Sequence, residues 1–282
     1  MPVPKIIKGW QPQIKDFRDY NLQDPQFAPK MLLLPQVVYN SCPPTLNQLH
    51  EGSCVFHGST SAMEAVEIAR GKTLNMFSRQ FGYYNYRAKY GDINRDDGAI
   101  IRLALKQMAK EGICLETKWP YSEATFAVKP SEAAYTDAPS HKITQYIGIT
   151  GRLGDPNSLL HDLLSCLASG WGFVCGIPCY SSIVSDEVAR TGFVPLPVSG
   201  EEFMGGHCIY IWGYDRSKEI FWGLNSWGND WGCQAPTCSE RGQFSIPFDY
   251  IVHLASDFWT IRMITDVQGQ PALGADDSKL AA

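Results

Sequence analysis

No stretch of this 282-residue chain approaches the roughly 20 consecutive apolar residues of a bilayer span; the segment MLLLPQVV from Met31 is short and broken by Pro35. The opening MPVPKIIKGWQPQIKDFRDY lacks the apolar centre and small-residue cleavage site of a secretory leader. The chain is therefore expected to be intracellular or packaged in a particle, with no membrane partner. It also lacks a basic excess, since 24 Lys and Arg face 29 Asp and Glu for a net charge of −5. That balance argues against nucleic acid as a partner. Nine cysteines contain no C-x2-C pair and no close-spaced framework, so neither a finger-type zinc site nor a disulfide scaffold is expected. A reducing compartment is favoured. No metal or organic cofactor is expected, and the chain has no internal repeat or low-complexity tract. The closing SKLAA reads as a cloning remnant, because SKL is not terminal.

What is present is a globular composition, 44% hydrophobic and 19% charged, long enough for two lobes around a cleft. Residues 1–35 are rich in Pro, Asp and Gln without periodicity and read as an extended arm docked on something. From Ser53, a reasonable N-cap, the residues Val55, Phe56, Ala62, Met63, Val66 and Ala69 recur on one helical face until Gly71. Asp97 signals a second helix through Ile100, Ile101, Ala104, Leu105 and Met108 to Gly112. Between them SRQFGYYNYRAKYGD is helical at first, then looped. Farther on, HKITQYIGI alternates like a strand, NSLLHDLLSCLASG returns to helical spacing and WGFVCGIPCY reads as a strand. GGHCIYIWGYDRSKEIFWGLNSWG gives two strands joined by a turn at Asp215–Lys218, and GQFSIPFDYI and DFWTIRMI complete the strands. Helices crowd the first half and strands the second, an α+β arrangement in two segregated lobes.

Cys54 falls in the first turn of its helix, where unpaired amides and the macrodipole favour a thiolate, the reactive form. Taken alone the position fits a buried structural thiol better. The hairpin adds a second observation. Pairing about its turn brings His207 within one position of Asn225, with backbones about 5 Å apart, provided the register does not slip. The asparagine could then orient the imidazole as a base toward a thiol from the other lobe. Gly205 and Gly206 permit close backbone approach, and Trp227 could cover the Asn–His bond from water. Gln48, with the Cys54 amide, would form a two-donor pocket for an oxyanion.

The series Q-x5-C opening a helix, then G-G-H on a strand, then N-S-W-G-x-x-W-G resembles the papain-like cysteine peptidases over Leu34 to Ile264. The arm GWQPQIKDFRDY and the segments DDGAIIRLALKQMAKEGI and TGFVPLP are similar to a microbial and viral branch. The resemblance implies a two-lobe papain-like fold, with a helical lobe and a β-barrel-like lobe around the active-site cleft. By it the chain divides into an arm at 1–35 acting as a short pro-segment, a helical lobe at 36–138, a β-rich lobe at 139–266 and a tail at 267–282. It implies Cys54 as nucleophile, His207 as acid/base, Asn225 as orienting residue and Gln48 as oxyanion donor. Gly98, in DDGA, answers to the glycine that pairs with substrate backbone, with Gly206 and Trp227 also at the substrate cleft. The partners implied are peptides or proteins, bound by a monomer whose arm regulates it. Val55 replaces the family's aromatic after the nucleophile, Glu51 stands where a disulfide cysteine is usual, and CQAPTCSERG is inserted. A transpeptidase or amidase on the same fold, or a non-catalytic binding protein, are the competing functions.

Other residues invite milder readings. His50 could meet a substrate carboxylate but reads better as a solvated loop residue. His57 is expected to be buried and satisfied by backbone, and no functional role is argued for His141, His161 or His253. Cys233 and Cys238 could bridge across a short loop; Cys42 and Cys114 read as core thiols, Cys175 and Cys179 as thiols on or near a strand. Cys208 should point away from the site. The aromatics of FSRQFGYYNYR suit core packing better than a ligand cage, and Asp96 and Asp97 suit a helix start better than acid/base chemistry.

Overall fold

The computed structural model describes residues 9–14, 16, 19–27 and 34–265; the tail expected at 267–282 lies outside them. The elements run β1 (Val37–Tyr39), α1 (Cys54–Ala69), α2 (Arg79–Tyr90), α3 (Ile101–Glu111), α4 (Glu132–Asp137), β2 (Ile143–Ile149), α5 (Pro156–Ala168), β3 (Phe173–Tyr180), α6 (Asp186–Thr191), β4 (Phe203–Asp215), β5 (Ile220–Leu224), β6 (Gln243–Pro247), α7 (Phe248–Leu254) and β7 (Ser256–Ile264). Four helices thus precede most of the sheet, as the α+β reading requires.

Helix α1 is buried from Cys54 through Glu67, too completely for an amphipathic surface helix. Small residues let it lie against the sheet: a Cβ on Gly58 would stand 3.2 Å from the sulfur of Cys208 on β4. The Glu64 carboxylate inside this interface is paired by Arg79 of α2 at 2.8 Å, and it also accepts the Phe77 amide. Removing one partner of such a buried pair costs about 3–5 kcal/mol, so the pair fixes how α2 packs on the helix that carries Cys54.

The seven strands form one antiparallel sheet in the order β2-β7-β3-β4-β5-β6, with β1 added on β4. Hydrophobic residues from the helices and from the sheet belong to one continuous core. The β4–β5 ladder pairs Asp215 with Ile220 but Tyr210 with Leu224, because a bulge between Ile211 and Gly213 shifts it by one. Continued from Tyr210–Leu224, the register sets His207 two positions from directly opposite Asn225, against the one position expected from the sequence, because the ladder closes at Asp215–Ile220, later than the Asp215–Lys218 turn, and the bulge only partly offsets this.

Three local expectations change. Helix α2 extends to Tyr90, capped by the Ser78 side chain on the Phe81 amide. Helix α3 starts at Ile101 with Ile100 at its cap, so Asp96 and Asp97 do not start it. In GQFSIPFDYI only Gln243–Pro247 is a strand; Phe248–Leu254 is helical. Among the described residues no helix is long and apolar enough to cross a membrane.

Cysteine pairing also departs from the sequence reading. Cys42 is bonded to Cys238, with Cα atoms 5.8 Å apart across 196 residues of chain, while Cys233 is free. The insertion doubles back so that Cys233 pairs with Gln243 through backbone bonds, and this turns Cys238 toward the loop before α1. Spacing along the chain contains no sign of so distant a partner.

The described part of the arm is docked along its length. Leu22 and Phe27 are buried, Tyr20 and Leu22 exchange backbone bonds with Gly148 of β2, and Arg102 of α3 pairs with Asp16 and Asp19. Its Gly9–Gln11 end reaches the cleft.

Candidate active site

Ser53 occupies the cap position of α1, but its hydroxyl bonds Tyr121 at 2.7 Å, and no side chain caps the helix there. The loop before Cys54 is instead held by several independent contacts. Gln48 accepts the Ser226 hydroxyl on Oε1 at 2.6 Å and donates from Nε2 to the Glu51 carbonyl at 2.7 Å. Its backbone amide donates to the Ser226 carbonyl, and its carbonyl accepts the Tyr121 hydroxyl at 2.8 Å. Both oxygens of Asp96 accept the Gly52 amide at 2.9 Å. Asp96 also takes the Tyr83 hydroxyl proton, while the Tyr83 oxygen accepts the Gly98 amide at 3.1 Å. One carboxylate thereby ties the loop before Cys54 to the segment that carries Gly98.

On the sheet side, His207 is fully buried, and its Nε2 lies 2.8 Å from Asn225 Oδ1. That oxygen also accepts the Ser226 amide at 2.8 Å, so it is an acceptor and Nε2 carries the proton. The other nitrogen, Nδ1, is left with its lone pair and no hydrogen-bond partner among the described residues. Trp227 stacks on the imidazole with ring centroids 4.9 Å apart and meets Trp231 edge-on. The next amide, that of Cys208, donates to the Cys54 sulfur at 3.3 Å. The two halves of the chain thus bring the Cys54 sulfur onto the backbone amide next to His207, and Cys208 turns its own sulfur toward Gly58.

The arm covers this pair. A Cβ on Gly9 would stand 2.3 Å from the Cys54 sulfur. The Gly9 carbonyl accepts the Ala99 amide at 2.6 Å, the Gln11 amide donates to the Ala99 carbonyl at 2.9 Å and the Trp10 amide donates to the Gly206 carbonyl at 3.3 Å. The backbone that pairs across the cleft is therefore Ala99, one residue beyond the expected Gly98. Gly98 supplies the space, since at its φ of +77° a Cβ would lie 2.3 Å from the Gly9 oxygen. Under this cover burial pushes the Cys54 thiol up to about 12, against the Cys208 amide bond that lowers it. Burial likewise pulls His207 down to about 4. Burial thus opposes the charged form of both groups, against the helix-terminus effect expected from sequence.

The remaining expectations fall out simply. His57 is buried with Nδ1 against the Ser53 carbonyl at 3.2 Å, and burial pulls it down to about 3. His50 is exposed and pairs with Glu123 at 3.0 Å. Glu51 is buried and takes Gln80 at 3.2 Å; burial pushes its carboxyl up to about 7. Sequence reasoning missed Asp96, Tyr83, Tyr121 and Ser226. Of these only Ser226, next to Asn225 in the N-S-W-G series, carried a local signal.

No family profile matches the chain. It is 34% identical over 268 residues to an uncharacterized peptidase C1-like protein of Acanthamoeba polyphaga mimivirus, covering 93% of this chain and 77% of the relative. Its fold superposes on xylellain, a cysteine protease of Xylella fastidiosa, with a TM-score of 0.77 and 32% identity over 91% of this chain and 96% of that one. A proCathepsin B of Trypanosoma congolense shares the fold at a TM-score of 0.66 and 14% identity, covering 90% of this chain and 85% of that one. With the relative and xylellain both above 30% identity across most of their lengths, the chain belongs to the papain-like, peptidase C1-like family of cysteine peptidases.

Proposed function

We propose that the chain hydrolyses peptide bonds through Cys54, His207, Asn225 and Gln48, and that its arm restrains it until displaced. The observation that carries this reading is the open Nδ1 of an imidazole held by Asn225, on the residue whose next backbone amide donates to the Cys54 sulfur. In the reaction His207 Nδ1 takes the thiol proton and the sulfur attacks the scissile carbonyl carbon. The developing oxyanion receives the second Nε2 hydrogen of Gln48 and the Cys54 amide. His207 then gives its proton to the leaving amine, and a thioester remains. Water attacks that thioester while Nδ1 takes its proton, and the acid departs as the thiol is restored. Asn225 holds the ring through both transfers without changing charge. Trp227 shields the bond that does this and leaves substrate contact to Ala99 and Gly206.

The arm reading rests on the Gly9 contact and the backbone bonds that fill the same edges. A substrate strand needs Ala99 and Gly206 unpaired, so the Gly9–Gln11 segment must leave first. The test is digestion of a mixed peptide library by the full-length chain beside Cys54→Ala. Cleavage by the wild type that the variant lacks is expected; equal cleavage, or none by either after the arm has been displaced, removes the reading.

A further inference from the structure

His57 follows the nucleophile on α1 and takes no part in the chemistry above, yet it is buried like His207. Its Nδ1 lies 3.2 Å from the Ser53 carbonyl oxygen and 3.3 Å from the Ser53 hydroxyl. The Tyr121 hydroxyl proton goes to the Gln48 carbonyl at 2.8 Å, so the Ser53 hydroxyl donates to Tyr121 at 2.7 Å and has only lone pairs to offer His57. Both groups facing Nδ1 are therefore acceptors, and Nδ1 carries the proton. Burial pulls His57 down to about 3, which keeps the ring neutral and leaves Nε2 with a lone pair. A cavity of about 10 Å³ is lined by His57, Ser61, Asn225 and Ser226, with Leu46 and Leu224 also at its wall. That is room for roughly one water, which settles in such a place where polar groups receive it. Ser61 is one helical turn past His57 and shares its face of α1. Asn225 Oδ1 is committed to His207 and to the Ser226 amide, so what Asn225 has to offer the cavity is the hydrogens of Nδ2.

We propose that this cavity binds one structural water joining His57 to Asn225, which makes His57 a positioning residue for the asparagine; the role in catalysis rests on the peptidase reading. The water accepts an Nδ2 hydrogen of Asn225 and donates one hydrogen to His57 Nε2 and the other to the Ser61 oxygen. A continuous series of hydrogen bonds then runs from His207 through Asn225, the water, His57, Ser53 and Tyr121 to the Gln48 carbonyl. Every donor in it points away from His207, so the bonds polarise one another in the same sense. When His207 takes the thiol proton, its positive charge strengthens the whole series. The water also gives the Asn225 carboxamide a second anchor, so that Oδ1 stays aimed at the imidazole through both proton transfers.

Two measurements on the full-length chain test this. Crystals should show ordered density for one water within hydrogen-bond distance, roughly 2.7–3.2 Å, of His57 Nε2, Ser61 Oγ and Asn225 Nδ2. In steady-state hydrolysis of the best-cleaved library peptide, His57→Phe keeps a ring and removes both nitrogens. Its kcat should fall about tenfold, the worth of one good hydrogen bond, with KM little changed. His57→Gln, whose carboxamide reaches as far as Nε2, should recover most of that loss. In an Asn225→Ala background the same His57→Phe change should alter kcat by less than about twofold, because the residue it acts through is gone. Ser61→Ala removes one partner of the water with less disturbance of the core, and its loss of about threefold should likewise vanish without Asn225. Absence of density at that place in crystals that resolve other buried waters, losses equal in both backgrounds, or losses confined to KM would overturn the proposal. No cleavage of any peptide by the wild type with its arm displaced would overturn the peptidase reading and the catalytic role with it, while the density would still decide the water.

Discussion

The two walls of the cleft are built on opposite plans. On the nucleophile side, Gln48 is fixed through its side-chain oxygen, its side-chain nitrogen and both backbone groups, and Gly52 is fixed by Asp96. On the imidazole side His207 is fixed at one nitrogen by Asn225 and along one face by Trp227, with the second nitrogen open. The difference suits the roles proposed for the two walls. An oxyanion donor works only if it needs no rearrangement when charge appears, so every atom around it is committed. A proton carrier must exchange one bond for another during the cycle, so one nitrogen stays uncommitted.

The contrast can be broken most sharply by removing one residue from each wall. His207→Ala is expected to lower kcat/KM by roughly 10³-fold, within the usual range for a general acid/base. Gln48→Ala is expected to lower it by about 10²–10³-fold, in both cases through kcat with KM little changed. Steady-state kinetics on peptides of the preferred sequence checks both. A Gln48→Ala loss confined to KM would mean that this wall binds ground state and transition state alike.

A smaller effect sharpens the role of the cover over both walls. In Gly9→Ala the new methyl cannot share space with the Cys54 sulfur, so the Gly9–Gln11 segment must lift. Iodoacetamide labelling of Cys54 at neutral pH is expected to rise about tenfold, with the thiolate as the reacting form. The sign in pH follows from burial. Wild-type labelling should climb only toward alkaline pH because the covered thiol sits near 12, and the variant's profile should move to lower pH. An unchanged rate and profile would show that the arm does not restrain the thiol.

The smallest effect tests the buried carboxyl behind the nucleophile loop. Glu51 is raised from its ordinary 4.5 to about 7 by burial, so the folded chain binds its proton more tightly than the unfolded chain. That stabilisation is complete below about 4.5 and is lost as pH rises through about 7. The melting temperature of the wild type should therefore fall from pH 5 to pH 8 by a few degrees more than that of Glu51→Gln. Parallel melting curves would show that Glu51 does not titrate in this range.

Much of the fold was legible because hydrophobic period is a local property. The spacing of Val55, Ala62, Met63 and Val66 announced α1, and the alternation in HKITQYIGI announced β2. Other features failed for reasons that are equally physical. The turn closes at Asp215–Ile220, later than the Asp215–Lys218 turn read from the sequence, and the bulge between Ile211 and Gly213, which leaves no mark in an apolar run, only partly offsets this, so His207 reaches Asn225 on a diagonal. Asp96 and Asp97 carried the signal of a helix start; Asp96 instead serves a glycine amide 44 residues earlier, a contact made by the fold and by nothing in the neighbouring sequence. Cys42 and Cys238 are separated by most of the chain, and a disulfide needs only spatial proximity.

Sequence by itself determined which residue types exist to do chemistry and on what kind of element each rides, because helix termini, turn residues and apolar period act over a few neighbours. Tertiary structure alone decided that the Cys54 sulfur meets the backbone amide next to His207, that burial opposes charge on both groups, and that the Trp10 indole donates to Asp257. Those outcomes depend on distances and on exclusion of water, and both are set only when distant segments pack together.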